Sequence, residues 1–237
     1  MSKVGDVIDA DNARWQFGGA TADRFDAHVE RSVPFYHEGH DLVVRLADFF
    51  LGGGATALDL GCATGRLTAR MAESRAGLGD RFLALDVEPS MTHRARQRCA
   101  RFDEVLVVCG DVDALGEQTR VDFVVAYYTL QFVRPRVRQA LYDRIYRMLN
   151  WGGAFVLFEK VRGPDARFQD IATALYQEYK LERGYSGEEI VAKSRSLKGV
   201  LEPFSSAGNE GLLRRAGFQD LMTVFKYVCF EGVLAIK

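Results

Sequence analysis

The chain has 237 residues, 48% of them hydrophobic, and 31 Lys and Arg stand against 32 Asp and Glu. That length suits one domain, 1–237, and a net charge of -1 excludes a global pull toward nucleic acid or anionic membrane. No apolar run approaches the roughly 18 residues of a membrane span, and Met1–Asp6 lacks an apolar signal core.

Residues 1–20 read as irregular, with Trp15 and Phe17 docking them on the body. A helix is predicted over 21–31, with Phe25, His28 and Val29 on one face. Ser32 and Pro34 break it and start a second helix that runs to about Leu51, with Leu42, Leu46 and Phe49 inward. Gly52-Gly53-Gly54 ends that helix. Strands are then predicted at 55–60, 81–86, 105–109, 121–126 and 154–158, with helices at 65–75, from about 89, and at 135–149. The last helix carries a stripe of Val137, Leu141, Ile145 and Met148. Near-continuous apolar strands alternating with helices imply a doubly wound, mostly parallel α/β sheet. After Val161 come two helices, 165–181 and 187–202, then a third at 209–216. Strands 220–228 and 230–236 close the chain as antiparallel neighbours. Helices 1–51 and the insertion 165–202 are placed to cover a site.

Three successive strand ends carry acids: Asp59, Asp86 and Asp111. Ligands of open α/β sheets bind at such ends. A single acid there more often caps the next helix. Three beside the turn Gly61-Cys62-Ala63-Thr64-Gly65 favour a nucleoside site. A dinucleotide needs G-x-G-x-x-G and amides facing a pyrophosphate. Here an acid precedes the first glycine by two residues, which suits a cation. S-adenosylmethionine, with its sulfonium and ammonium, fits; NAD fits poorly. Cys62, Cys99, Cys109 and Cys229 show neither CxxC pairing nor metal spacing, so reduced thiols in a cytoplasmic protein without a metal site are expected. His28, His37 and His40 read as surface or pocket-edge residues. The runs Arg94, Arg96, Arg98, Arg101 and Arg134, Arg136, Arg138 read as solvated faces.

Asp59-Leu60-Gly61-Cys62-Ala63-Thr64-Gly65, Asp86 and Gly110-Asp111 resemble the motifs of class I S-adenosylmethionine-dependent methyltransferases over residues 40–160. That resemblance implies a seven-stranded Rossmann-like sheet with an antiparallel last strand. Trp15-Gln16-Phe17, Arg31 to Tyr36, Thr129 to Phe132, Glu159-Lys160, Gly184-Tyr185-Ser186 and Ala216-Gly217-Phe218 extend the likeness to nearly the whole chain. They are similar to the carboxy-S-adenosylmethionine synthase family, which uses prephenate to carboxylate the cofactor's methyl group. This resemblance implies cofactor contacts at Tyr36, Gly61, Cys62, Ala63, Asp86, Val87, Asp111 and Val112, and a homodimer. Two positions depart from it. Tyr127 stands where the family has a cofactor-contacting asparagine, and Ser194 where it has a carboxylate-gripping arginine. A bidentate arginine is hard to replace, so these departures argue against carboxyl transfer.

The leading expectation is therefore an enzyme of small-molecule, secondary metabolism that methylates a small molecule. Tyr36, Tyr127, Tyr128 and Phe132 would pack round the sulfonium. An alternative makes S-adenosylmethionine the only substrate, its amine closing an azetidine ring while Tyr127 and Ser194 accept from it; Tyr127, Ser194 and Tyr36 are the candidate catalytic residues. A third reading is a non-catalytic sensor.

Overall fold

The computed structural model describes residues 2–6 and 8–237. Two short strands, β1 (Ser2–Lys3) and β2 (Asp9–Ala10), pair antiparallel ahead of α1 (Ala20–Ser32) and α2 (Tyr36–Ala47). The alternating part follows. It contains β3 (Thr56–Leu60), α3 (Arg66–Ser74), β4 (Arg81–Asp86), α4 (Pro89–Cys99), β5 (Val105–Cys109), β6 (Val121–Tyr127), α5 (Pro135–Met148) and β7 (Leu149–Lys160). Then come α6 (Ala166–Glu182), α7 (Gly187–Ser196), α8 (Ser206–Ala216), β8 (Asp220–Tyr227) and β9 (Phe230–Ile236). The main sheet has the order β5-β4-β3-β6-β7-β9-β8. Strands β3 to β7 pair parallel, and β9 runs antiparallel to both β7 and β8.

The period of two along each strand divides the core. Leu58, Leu60, Val124 and Phe155 pack with Tyr142 and Ile145 of α5 and Leu213 of α8. Ala57, Phe123, Val125 and Phe158 pack on the other face with Val43 of α2 and Met71 of α3. The chain order reverses between β3 and β6, so a crevice opens beyond their carboxyl ends.

Several expectations are corrected. The first twenty residues are not wholly irregular, because β1 and β2 pair there. Pro34 does not start α2. Phe35 takes a left-handed φ of 55° before the helix begins at Tyr36. Phe49 lies beyond the helix and is 83% exposed; Gly39, His40, Val43 and Ala47 turn inward instead. On α5 the buried stripe is Arg138, Tyr142, Ile145 and Met148, and Val137 is exposed. Arg138 is thus a core residue rather than part of a solvated face. It donates to the carbonyls of Val133, Gln131 and Glu202 and lies over the Phe204 ring. The helix expected to 202 stops at Ser196. The strand expected at 154–158 begins earlier, at Leu149. Among the described residues no helix is long and apolar enough to cross a membrane.

Candidate active site

The turn after β3 is built from left-handed residues: Gly61 at φ 82°, Ala63 at 48° and Gly65 at 75°. A side chain on Gly61 would collide with Thr129, and a Cβ on Gly65 would stand 2.9 Å from Ala95. Absence of a side chain therefore matters at both. The amides of Gly61 and Cys62 donate to the Leu85 carbonyl at 2.8 Å, that of Gly65 to the Cys62 carbonyl at 2.8 Å, and that of Ala63 to Asp86 Oδ2 at 2.9 Å. Four turn amides are thus committed inside the protein. The corner offers a pyrophosphate few of the donors it requires.

What it presents is negative. Asp59 is 2% exposed and accepts a 2.6 Å hydrogen bond from Thr68 Oγ1. Burial, reinforced by the charge of Asp86 and opposed by Thr68, pushes its carboxyl up to about 7. Asp86 accepts from the amides of Ala63 and Glu88, at 2.9 Å each, one on each oxygen. Burial raises its pKa despite those bonds. Each oxygen keeps a lone pair, so Asp86 both ties the turn and can accept from a ribose hydroxyl. Asp111 is the one acid that caps: its carboxylate accepts from the Asp113 amide at 3.0 Å, at the start of a short 3-10 turn. These residues fit a cationic adenosyl ligand by charge and by hydrogen-bond capacity.

Every residue singled out from the sequence for the site, from Tyr36 to Ser194, lines one cavity of about 1140 Å³. That volume is at the upper end for a small-molecule pocket. Tyr127 and Tyr36 form part of the wall. The Tyr127 hydroxyl donates to the Tyr36 carbonyl at 2.9 Å, tying β6 to the first turn of α2, and Gly39 leaves the space this needs. His40 packs 4.6 Å from both tyrosine rings. It is buried and held neutral, with burial and then the Arg70 charge bringing its pKa down to about 3. His28 is buried as well. Only His37 of these three is a surface residue, 3.3 Å from Glu30. Tyr128 sits between Phe158 and Phe230 as core, and Phe132 meets Phe17 edge-on at 4.7 Å. Ser194 is exposed at the rim, on α7. Among the described residues no group of His, Cys, Asp and Glu is placed to hold a metal.

Reading the sequence missed a cationic side to the same cavity. Lys160 ends β7, Lys180 lies on α6 and Lys193 on α7, and all three line the cavity. Lys160 and Lys180 place their ammonium groups 4.3 and 4.4 Å from the Tyr176 ring centre. Lys193 lies 4.4 Å over Trp15. Among the described residues none of the three forms an ion pair with a carboxylate. Burial, then the neighbouring Lys160, brings Lys180 down to about 8. Burial, then Lys180, brings Lys193 to about 7 against the pull of Asp6. The motif Glu159-Lys160 was the one visible signal; Lys180 and Lys193 stand on separate helices, and no local period joins them.

A family model described as a methyltransferase domain matches residues 57–153. Among curated proteins, the chain is 34% identical over 225 residues to the carboxy-S-adenosyl-L-methionine synthase of Staphylococcus epidermidis, covering 94% of this chain and 97% of that one. It is 34% identical to the synthase of Campylobacter lari, covering 94% and 95%. Solved structures share the fold at low identity. Human N-acetylserotonin methyltransferase in complex with S-adenosylmethionine superposes with a TM-score of 0.56 at 17% identity, over 94% of this chain and 60% of that one. The N-methyltransferase NodS of Bradyrhizobium japonicum, in complex with S-adenosylhomocysteine, gives 0.56 at 19%, over 85% and 86%. With a corner that fits a cationic adenosyl ligand, a methyltransferase sheet and a likeness running nearly end to end, the chain is an S-adenosylmethionine-dependent enzyme that belongs to the carboxy-S-adenosyl-L-methionine synthase family of the class I methyltransferase superfamily.

Proposed function

We propose that the chain transfers the methyl group of S-adenosylmethionine to a small anionic molecule. One observation carries this reading: the cavity is acidic where Asp59 and Asp86 close the strands and cationic where Lys160, Lys180 and Lys193 face it. S-adenosylmethionine supplies an electrophilic methyl carbon on a positive sulfur. Asp86 accepts from the ribose, the Gly61–Ala63 turn lies under the adenosyl group with Val87, Asp111 and Val112 beside the base, and Asp59 faces the cationic end. Tyr36 and Tyr127 give the sulfonium an aromatic wall, worth about 0.5–2 kcal/mol. Lys160 and Lys180 hold the acceptor's carboxylate or other anionic group, and Lys193 stands beside them on the same side. Closure of the 1–51 and 165–202 segments over both ligands excludes water and fixes the line of attack.

A second reading is carboxyl transfer from prephenate to the cofactor, favoured by full-length membership of the synthase family. Ser194 stands in the arginine's place there, and the lysines are the cations that could take its role. Cyclisation is less well supported, because the Tyr127 hydroxyl is bonded to the Tyr36 carbonyl and Ser194 is exposed at the rim.

Mass spectrometry of three incubations separates these readings. S-adenosylhomocysteine, formed only with a deproteinised metabolite extract, supports methyl transfer. Carboxy-S-adenosylmethionine formed with prephenate replaces the first reading by the second. Methylthioadenosine from S-adenosylmethionine alone overturns both, and tight binding without any product marks a sensor. A cytoplasmic homodimer completes the proposal. Helix α6 has no buried residue and exposes Phe168, Ile171 and Leu175 on one stripe, which a second copy would cover. Leu175→Asp should then halve the mass seen by light scattering; a wild-type monomer would end this part of the proposal.

A further inference from the structure

The cavity's cationic side contains a hydrogen-bonded chain that neither the adenosyl corner nor the holding of an anion requires. His28 Nδ1 lies 2.6 Å from Asp6 Oδ2. The other ring nitrogen, Nε2, contacts the Lys193 amine directly. Asp6 is fixed from two further directions. Tyr185 Oη donates to its Oδ2 at 2.7 Å, and Arg31 pairs with its Oδ1. Lys193, His28 and Trp15 all line the cavity.

The protonation pattern follows from the partners. Burial would raise the Asp6 carboxyl, but bonds from His28 and Tyr185 and the Arg31 charge more than offset it and hold it below the usual carboxylate range. An ionised Asp6 is only an acceptor, so His28 Nδ1 carries the proton. Burial, then the Lys193 charge, brings the imidazole down to about 4, so at neutral pH it carries no second proton. Nε2 is therefore a lone pair aimed at Lys193, and one Lys193 N–H donates to it. The groups that face this amine are His28 from α1, Asp6 from the N-terminal segment, Lys180 from α6 and Lys160 from β7. Two of them are like charges, which favour a neutral amine. The His28–Asp6 pair favours a charged one. Lys193 is thereby poised to change state.

We propose that Lys193 is the general base that accepts the acceptor's proton, with His28 and Asp6 as its positioning residues. This rests on the methyl-transfer reading. In the step, the acceptor's nucleophilic atom forms a bond to the methyl carbon while the carbon–sulfur bond breaks, and its electron pair stays on sulfur. The proton lost by the nucleophile passes to the Lys193 amine. The ammonium so formed keeps its bond to His28 Nε2, and the opposed Nδ1–H is polarised by Asp6. A group of this kind contributes about 10²–10⁴-fold.

The test combines a measurement that needs no acceptor with one that does. Competitive acetylation by acetic anhydride, read at Lys193 by peptide mass spectrometry across pH 5–10, gives the amine's titration in the free enzyme. The expected midpoint is near pH 7, and it should move lower in Asp6→Asn. Tyr185→Phe, which keeps the Asp6 charge but removes one of its donors, guards against loss of the fold and should move the midpoint less. Release of S-adenosylhomocysteine with the deproteinised metabolite extract should rise through the same pH, follow the Asp6→Asn shift, and fall by about 10²-fold or more in Lys193→Met. S-adenosylmethionine affinity by calorimetry should stay within about twofold in that variant. A Lys193 midpoint above pH 9, or one indifferent to Asp6, overturns the relay. Turnover that ignores pH below 8 overturns the base alone. No S-adenosylhomocysteine from wild-type enzyme overturns the methyl-transfer reading, and the role of Lys193 as its base falls with it.

Discussion

The two sides of the cavity were built by different means. The corner after β3 lies at the centre of the sheet, where β4 and β6 flank it and four turn amides bond within the protein. Its acids belong to consecutive strands and are local features of the chain. The opposite side is assembled from the end of β7, helices α6 and α7 and an N-terminal segment, and Lys160, Lys180 and Lys193 line it. Distant segments meet there through Trp15, which packs with Val4 and Ile8 against Ala192 and Leu197 of the α7 region. Opposite charge on the two sides fits the proposed division between a cationic reagent and an anionic partner. It also means that each side should fail in its own way.

The largest loss should come from the corner's backbone. Gly61→Val places a branched side chain against Thr129 at a φ of 82°. A destabilisation of about 2–4 kcal/mol is expected in urea denaturation, with S-adenosylmethionine binding lost. Wild-type stability in this variant would show that the corner is looser than its geometry. Asp86→Ala comes next. It removes the proposed ribose acceptor and leaves the Ala63 and Glu88 amides without their carboxylate. Affinity should fall by about 1.5–3 kcal/mol, roughly 10–150-fold, and unchanged calorimetry would refute the ribose placement.

The same contrast explains what could be read in advance. Strand ends and turn glycines follow one another along the chain, so Asp59, Gly61, Asp86 and Asp111 could be placed from spacing alone, and all four line the cavity. The parallel part of the sheet was legible because apolar strands alternate with helices, and the reversed β9 because almost nothing separates it from β8. Arg138 was misread because a charged side chain on a helix looks solvent-facing until three carbonyls from 131, 133 and 202 are seen to converge on it. His40 was read as a surface or pocket-edge residue; it lines the cavity but is buried, because its neighbours are rings: Tyr36 precedes it by one turn in the helix, and Tyr127 comes from β6. The lysine side was invisible for the same reason. Its members stand on different elements, and only packing brings them together.

Changes on that side should be milder and selective. Lys180→Met removes one of the cations proposed to hold the acceptor, so the concentration of anionic substrate giving half-maximal turnover should rise about tenfold, the value of one charge-assisted contact. S-adenosylmethionine affinity should stay within about twofold. An equal loss for both ligands would erase the division of the cavity into two charged sides.

The smallest effect tests whether the corner is kept uncomfortable until its ligand arrives. Burial raises Asp59 to about 7, far above the carboxylate value of an unfolded chain, about 3.9. The folded state therefore binds this proton more tightly than the unfolded state does. Between pH 4 and 7 the wild-type chain loses stability from this group as pH rises, and above 7 the cost is constant. Asp59→Asn does not titrate, and its carbonyl can still accept from Thr68. The two proteins should melt within a degree or so of each other near pH 5, and the variant should melt several degrees higher at pH 8. Saturating S-adenosylmethionine should reverse that order, because the ligand's positive charge offsets an ionised Asp59 and has nothing to offset in Asn. Equal ligand-induced shifts in both proteins would remove Asp59 from the binding of the cation and leave it a buried partner of Thr68.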